Sequence, residues 1–236
     1  MEKTLTIIPA KLGSLRLPNK NIRKLAGKAL INYTIEAALA SEVCGEVMVS
    51  TESRKAAQIA KAAGAKVPFM RPDYLSKDPY GVVDVCINVL KTYENNGVRF
   101  KKLIILLPTS PFRSKNDIRA ANKKFDSCNA KFLMSVSEFD HNPFGALRTN
   151  ISNKDQMIAC FPEYIGKKQH EVPKCYRANG AVCIVEVNAF LKAGTYYGKP
   201  LYTYIMPWQR SLDIDNEVDF RFAEFIIKNG ITRNDE

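Results

Sequence analysis

Two stretches of this chain hold residues suited to phosphate chemistry. The first runs from Pro9 to Asn21, PAKLGSLRLPNKN. It offers cations at Lys11, Arg16 and Lys20, and Gly13 and Ser14 allow a close backbone approach. Backbone N–H groups combined with cationic side chains suit a triphosphate. The loop matches neither G-x-G-x-x-G nor G-x-x-x-x-G-K-S/T, so it is not a dinucleotide fingerprint or a P-loop. The blander alternative is a basic surface turn. The second stretch is Ser211 to Asp215, SLDID. Asp213 and Asp215 alternate around Ile214, and an extended backbone would aim both carboxylates to one face. Two such carboxylates repel unless a cation neutralises them. Magnesium takes one or two carboxylates and completes its shell with water and phosphate oxygens. Alternatively, Asp215 caps the helix that follows.

A third stretch, Tyr176 to Gly180 (YRANG), offers Arg177, which can hold a carboxylate through two hydrogen bonds, and Asn179, which can both donate and accept. Its alternative is a hairpin turn at Asn-Gly.

The elements that must position these residues follow from hydrophobic periodicity. Short apolar runs at 5–9, 46–50, 102–107, 132–136, 181–187 and 201–207 read as strands, with a further short one at 66–70. Helical patterns fall at 29–41, 54–63, 83–93, 116–126 and 217–228. In the last of these, Val218, Phe222, Phe225 and Ile226 form an apolar stripe. Alternation of this kind predicts an α/β domain with a mainly parallel sheet covered on both faces. Ligands of such sheets bind beyond the carboxyl ends of the strands, which places loops 10–21, 50–54, 71–82 and 107–113 on one rim. From 138 to 174 the pattern weakens into a polar, turn-prone stretch, expected to be an insertion, a dimerisation arm or a lid.

Bulk properties narrow the class. At 236 residues the chain suits one domain. No run of apolar residues reaches the length of a membrane helix, and no secretory leader is visible, so a cytoplasmic protein with no membrane partner is expected. The six cysteines are scattered without a C-x-x-C pair, and only two histidines accompany them, which argues against zinc. Net charge is +11, but the lysines and arginines are dispersed rather than gathered in a stripe. No nucleic-acid motif accompanies them, so no nucleic-acid partner is expected.

Taken in order, IIPAKLGSLRLPNKN, VMVSTES, RPDYLSKD, LLPTSPFR, YRANGAVCIV and RSLDID resemble the acylneuraminate cytidylyltransferase family, the CMP-sialic acid synthetases and their nonulosonic-acid relatives. The resemblance spans nearly the whole chain. It implies a Rossmann-like nucleotidyltransferase fold in a single domain, 1–236, with 138–174 as the dimerisation arm of a homodimer. It also implies a reaction: the anomeric hydroxyl of an acidic sugar attacks the α-phosphorus of CTP, pyrophosphate leaves, and Mg2+ bridges phosphates to aspartates.

Carried over by position, Ala10, Lys11, Gly13, Ser14, Arg16, Lys20, Asn21 and Arg71 would bind the nucleotide. Lys20, Asp213 and Asp215 would be catalytic, with both aspartates on the metal. Arg177 and Asn179 would meet the sugar. The chain departs from the family pattern at Lys11 (usually arginine), Leu15 (usually lysine) and Leu107 (often glutamine). In the arm, Gly145 and Gln169 stand nearest to a usual lysine and arginine. Most departures fall where the acceptor and phosphates would bind, so they bear on the choice of acceptor more than on the general chemistry.

Overall fold

The structure is a computed structural model and describes residues 3–231. In chain order the strands and α-helices are β1 (Thr4–Pro9), β2 (Lys24–Leu25), β3 (Lys28–Ala29), α1 (Leu30–Ser41), β4 (Glu46–Ser50), α2 (Arg54–Ala62), α3 (Val82–Asn95), β5 (Lys102–Ile105), α4 (Lys115–Ser127), β6 (Phe132–Glu138), β7 (Leu147–Thr149), β8 (Met157–Ala159), β9 (Tyr176–Glu186), α5 (Val187–Ala193), β10 (Leu201–Ile205) and α6 (Glu217–Lys228).

One six-stranded sheet organises the chain, in the order β10-β6-β9-β5-β1-β4. Strands β4, β1 and β5 pair in parallel, as do β10 and β6, while β9 runs antiparallel between β5 and β6. The strands are apolar on both faces because both faces are covered. On β5, Ile104 packs with Ile31 and Ile35 of α1 and Ile118 and Phe125 of α4. Its neighbours Leu103 and Ile105 turn the other way, against Val89 and Leu90 of α3 and Phe190 of α5. Period-2 alternation thus feeds two cores rather than a core and a solvent face.

The mainly parallel α/β reading stands, and three local expectations need correction. Residues 66–70 form no strand; Lys66 makes a single bridge to Met48. The Asn-Gly of YRANG makes no hairpin. β9 runs straight through it, with Gly180 at φ +68 and a register shift opposite Met134–Val136. Helix α6 keeps its expected bounds but packs through Phe220, Ala223 and Ile226. Val218, Phe222 and Phe225 remain exposed, at 75, 46 and 54%. Its rotation is set by the start of the helix, where Asn216 caps it and the Arg23 guanidinium lies 4.2 Å over the Phe220 ring while pairing with Glu217.

Residues 138–174 hold the two-stranded β7–β8 ribbon and short 3-10 turns. An aromatic group of Phe144, Phe161 and Tyr164 packs within this segment. Leu147, Ile151, Met157 and Ile165 are exposed along it.

Candidate active site

The carboxyl ends of β1, β4 and β5 open onto one rim, and two cavities lie there. The larger, about 780 Å3, is walled by the loop after β1, by residues 71–85 and by Leu107–Thr109, with Asp215 on its edge. The smaller, about 220 Å3, lies beside it and shares Val82 and Leu107. Strand β9 explains the second cavity. Running against its neighbours, it brings its N-terminal half, with Ala178, Asn179 and Gly180, to the rim where the parallel strands end.

The larger cavity is cationic on one side. Lys11, Arg16, Lys20 and Arg71 all line it, together with Gly13, Ser14 and Asn21. Lys20 opens a single 3-10 turn (Lys20–Ile22) and is 8% exposed. Its ammonium donates to the Ile214 carbonyl at 2.7 Å and to Asp215 Oδ1 at 3.2 Å. Arg16 reaches the other oxygen of Asp215 at 3.0 Å. Asn21 donates to the Lys11 carbonyl at 2.7 Å, and its own Oδ1 is buried without a partner. Arg71 is buried against Ser50, with Nε 3.1 Å from the hydroxyl. Burial pulls the Arg71 guanidinium below its ordinary value, and Glu52 opposes that pull.

The SLDID segment keeps its alternation. Ile214 points into an apolar cluster with Leu17, Phe112 and Phe220, and its N–H donates to the Thr109 carbonyl at 2.8 Å. The flanking carboxylates face outward, Asp215 into the larger cavity and Asp213 into the smaller. The Asp213 carboxyl is raised above its ordinary value, first by desolvation and further by Asp215; a Thr109 hydrogen bond and Lys20 act the other way. Asp215 does not cap α6, because Asn216 does, accepting from the N–H groups of Val218 and Asp219.

Of the remaining expected residues, Asn179 lines the smaller cavity, and its amide is tied into the protein on both sides. It accepts from Ser135 Oγ at 2.6 Å and donates to Ser211 Oγ at 3.0 Å, tying β9 and β6 to the start of SLDID. Arg177 lines neither cavity and lies 3.6 Å from Asp140 at the base of the 138–174 segment. Ala10 is buried beneath the loop, its N–H on the Ser50 carbonyl, and lines neither cavity. Leu15 lies at the edge of the larger cavity and is 93% exposed.

Several site residues escaped sequence reasoning. Glu52 joins the two loops of the larger cavity. Arg113, fully buried, donates to the carbonyls of Leu107, Ser110 and Ala181 and so fixes the Leu107–Ser110 loop; burial pulls its guanidinium down to about 9. Tyr196 and Tyr197 wall the smaller cavity. The arginine of LLPTSPFR and the glutamate of VMVSTES both lie in motifs that carry the family resemblance, whereas a tyrosine pair carries no sequence signal of its own.

Fold and rim together define a nucleotidyltransferase-type α/β protein, and similarity to known proteins sharpens the class. Residues 5–151 match the family described as Cytidylyltransferase. The chain is 33% identical over 230 residues to CMP-N,N'-diacetyllegionaminic acid synthase of Legionella pneumophila, covering 96% of this chain and 97% of the relative. It is 30% identical over 226 residues to pseudaminic acid cytidylyltransferase of Campylobacter jejuni, with the same two coverages. Its fold is shared with a CMP:2-keto-3-deoxy-manno-octonic acid synthetase solved with CTP, at a TM-score of 0.72 and 16% identity over 97% of this chain and 99% of that one. The chain belongs to the cytidylyltransferase family, and is a nucleotidyltransferase enzyme.

Among the described residues, no helix is long and apolar enough to cross a membrane.

Proposed function

We propose that the chain transfers CMP from CTP to the anomeric hydroxyl of a sialic-acid-like nonulosonic acid, releasing pyrophosphate. The observation that carries this reading is the pair of adjoining cavities, one large and cationic and one small, with an aspartate in each. The larger has room for a nucleoside triphosphate, and its cations, Lys11, Arg16 and Lys20, match the charge of the phosphates. The smaller would take the acceptor, between Asn179 and Asp213 and against Tyr196 and Tyr197. Both relatives described above are named for nonulosonic acids.

Asp213 and Asp215 fit a divalent cation, which we take to be Mg2+. The Asp213 carboxyl is raised first by desolvation and further by Asp215, and a bound cation would favour its charged form against both. When bound, magnesium would neutralise charge on the phosphates and the leaving pyrophosphate. The protein's own part is positioning. Lys20 is held by Ile214 and Asp215 so that its charge sits where the transferring phosphate must come.

We assign the 138–174 segment to contact with a second copy of the chain, on the strength of the exposed Leu147, Ile151, Met157 and Ile165. Sedimentation at increasing concentration tests this assignment; a monomer throughout would refute it.

The reaction is tested by pyrophosphate release with magnesium, crossing the four nucleoside triphosphates against sialic, legionaminic, pseudaminic and 3-deoxy-octulosonic acids. Release with CTP and a nonulosonic acid is the expected result. Release only with the 3-deoxy-octulosonic acid, or only with another nucleotide, would replace this reading.

A further inference from the structure

We propose that Glu52 is a positioning residue that locks together the two loops forming the mouth of the larger cavity. The proposal rests on the cytidylyltransferase reading for its effect on CTP, but its geometry stands independently.

Glu52 follows the end of β4 by two residues, and its side chain is 17% exposed. It lines neither cavity. Its two oxygens instead divide between the loops. Oε1 accepts the backbone N–H of Leu12 at 2.7 Å, and Oε2 accepts the Ser76 hydroxyl at 2.9 Å. Leu12 lies between Lys11 and Gly13, and Ser76 lies between Leu75 and Lys77. All four of those neighbours line the cavity. A single carboxylate therefore spaces the cationic loop from the facing wall.

The same carboxylate bears on two further features. The Ser14 N–H donates to the Leu12 carbonyl at 2.7 Å, so the turn that presents Gly13 and Ser14 is anchored through Leu12 to Glu52. Arg71 Nη1 lies 3.9 Å from Glu52 Oε2 and 3.5 Å from Ser76 Oγ. The Arg71 guanidinium is itself held by the Ser50 hydroxyl and carbonyl, with the Glu52 charge at the outer limit of an ion pair.

This arrangement predicts an effect on CTP capture rather than on the chemical step. Lys20, Asp213 and Asp215 are held by other contacts, through Ile214 and Thr109. Losing a charge-assisted hydrogen bond to each loop should raise the KM for CTP about tenfold or more in Glu52→Ala, with kcat changed by less than about threefold. Glutamine can accept from Leu12 N–H and donate to Ser76 Oγ, so Glu52→Gln should keep KM within about threefold of wild type.

The experiment combines steady-state kinetics with amide hydrogen exchange of the whole chain, in wild type, Glu52→Ala, Glu52→Gln and Ser76→Ala. The expected result is accelerated exchange at the Leu12 amide in the alanine variant at position 52 only, paired with the KM rise and its rescue by glutamine. Ser76→Ala should keep Leu12 protected while raising KM less, and it carries the test if Glu52→Ala does not fold. Unchanged exchange at Leu12 in a folded Glu52→Ala would overturn the proposal. So would equal losses in kcat and kcat/KM that glutamine fails to rescue. Wild type that neither binds nor turns over CTP would defeat the functional reading instead, and Leu12 exchange would still decide the role of Glu52.

Discussion

Asp117 holds Arg210 through two parallel bonds, Nε to Oδ2 at 3.0 Å and Nη2 to Oδ1 at 2.9 Å. The aspartate is 1% exposed and lies in the first turn of α4, where it also accepts the N–H and hydroxyl of Ser114. Arg210 directly precedes SLDID, so this pair fastens the segment bearing Asp213 and Asp215 to the body of the domain. Weakening the charge-assisted bonds that this buried carboxylate accepts typically costs about 1.5–3 kcal/mol. Asp117→Asn should therefore lower stability by an amount of that order, and lower kcat by displacing the aspartates.

The pH dependence of that loss has a definite sign. Burial alone would raise the Asp117 carboxyl, but Arg210 and Ser114 outweigh it and hold the group below its ordinary value. Its contribution is therefore complete above the ordinary aspartate value of about 4 and fades as pH falls through the lower folded value. Urea unfolding of wild type and Asp117→Asn should show a gap that is constant near neutrality and narrows under acid. A gap that widened under acid would contradict the assignment.

The rim loops and the two aspartates were legible because their chemistry lies close together in sequence, as cations within PAKLGSLRLPNK and carboxylates around Ile214. The smaller cavity was less legible. It depends on β9 running antiparallel, and no local pattern in AVCIVEV fixes strand direction, because a strand buried on both faces is apolar throughout. Arg177 illustrates the cost. Its residue type suits a carboxylate, but the register that pairs it with Ser137 carries it past the cavity to Asp140. The α6 stripe misled for a different reason. The helix bears apolar residues on two sides, and Arg23, three residues after Lys20 and distant from the helix in sequence, helps select the Phe220 side.

Divalent cation binding should be readable without turnover. If Asp213 and Asp215 share a cation, magnesium will raise the Tm of wild type by binding only the folded state. Asp213→Asn should remove that shift, keep the circular dichroism spectrum and abolish pyrophosphate release. Near-normal turnover in the asparagine variant would sink the metal assignment.

Gly180 tests the bulge that shapes the smaller cavity. Its φ is +68, and an added Cβ would lie 3.0 Å from Leu107 Cδ1 and 3.5 Å from Ser110 Oγ. Both neighbours belong to the Leu107–Ser110 loop fixed by Arg113. Gly180→Ala should cost about 1–3 kcal/mol in backbone strain and crowding. Because the crowding falls on the wall shared with Asn179, KM for the acceptor should rise more than KM for CTP. Equal changes in the two constants would show that the bulge does not shape the acceptor cavity.

Lys20 supplies the sharpest separation of charge from geometry. An ammonium has three donors, and two are placed, on the Ile214 carbonyl and Asp215. The third is available to a phosphate oxygen. Lys20→Met should reduce kcat by about a hundredfold or more, the scale set by losing one preorganised donor to developing charge. CTP affinity should fall less, since Lys11 and Arg16 remain on the loop. Arginine should not rescue, because a planar fork cannot reproduce a compact ammonium in a buried position with both contacts preserved. Calorimetric CTP binding beside single-turnover rates checks both halves. A lysine variant that lost affinity and rate in equal proportion through KM alone would make Lys20 a binding residue and leave the transferring phosphate to the metal.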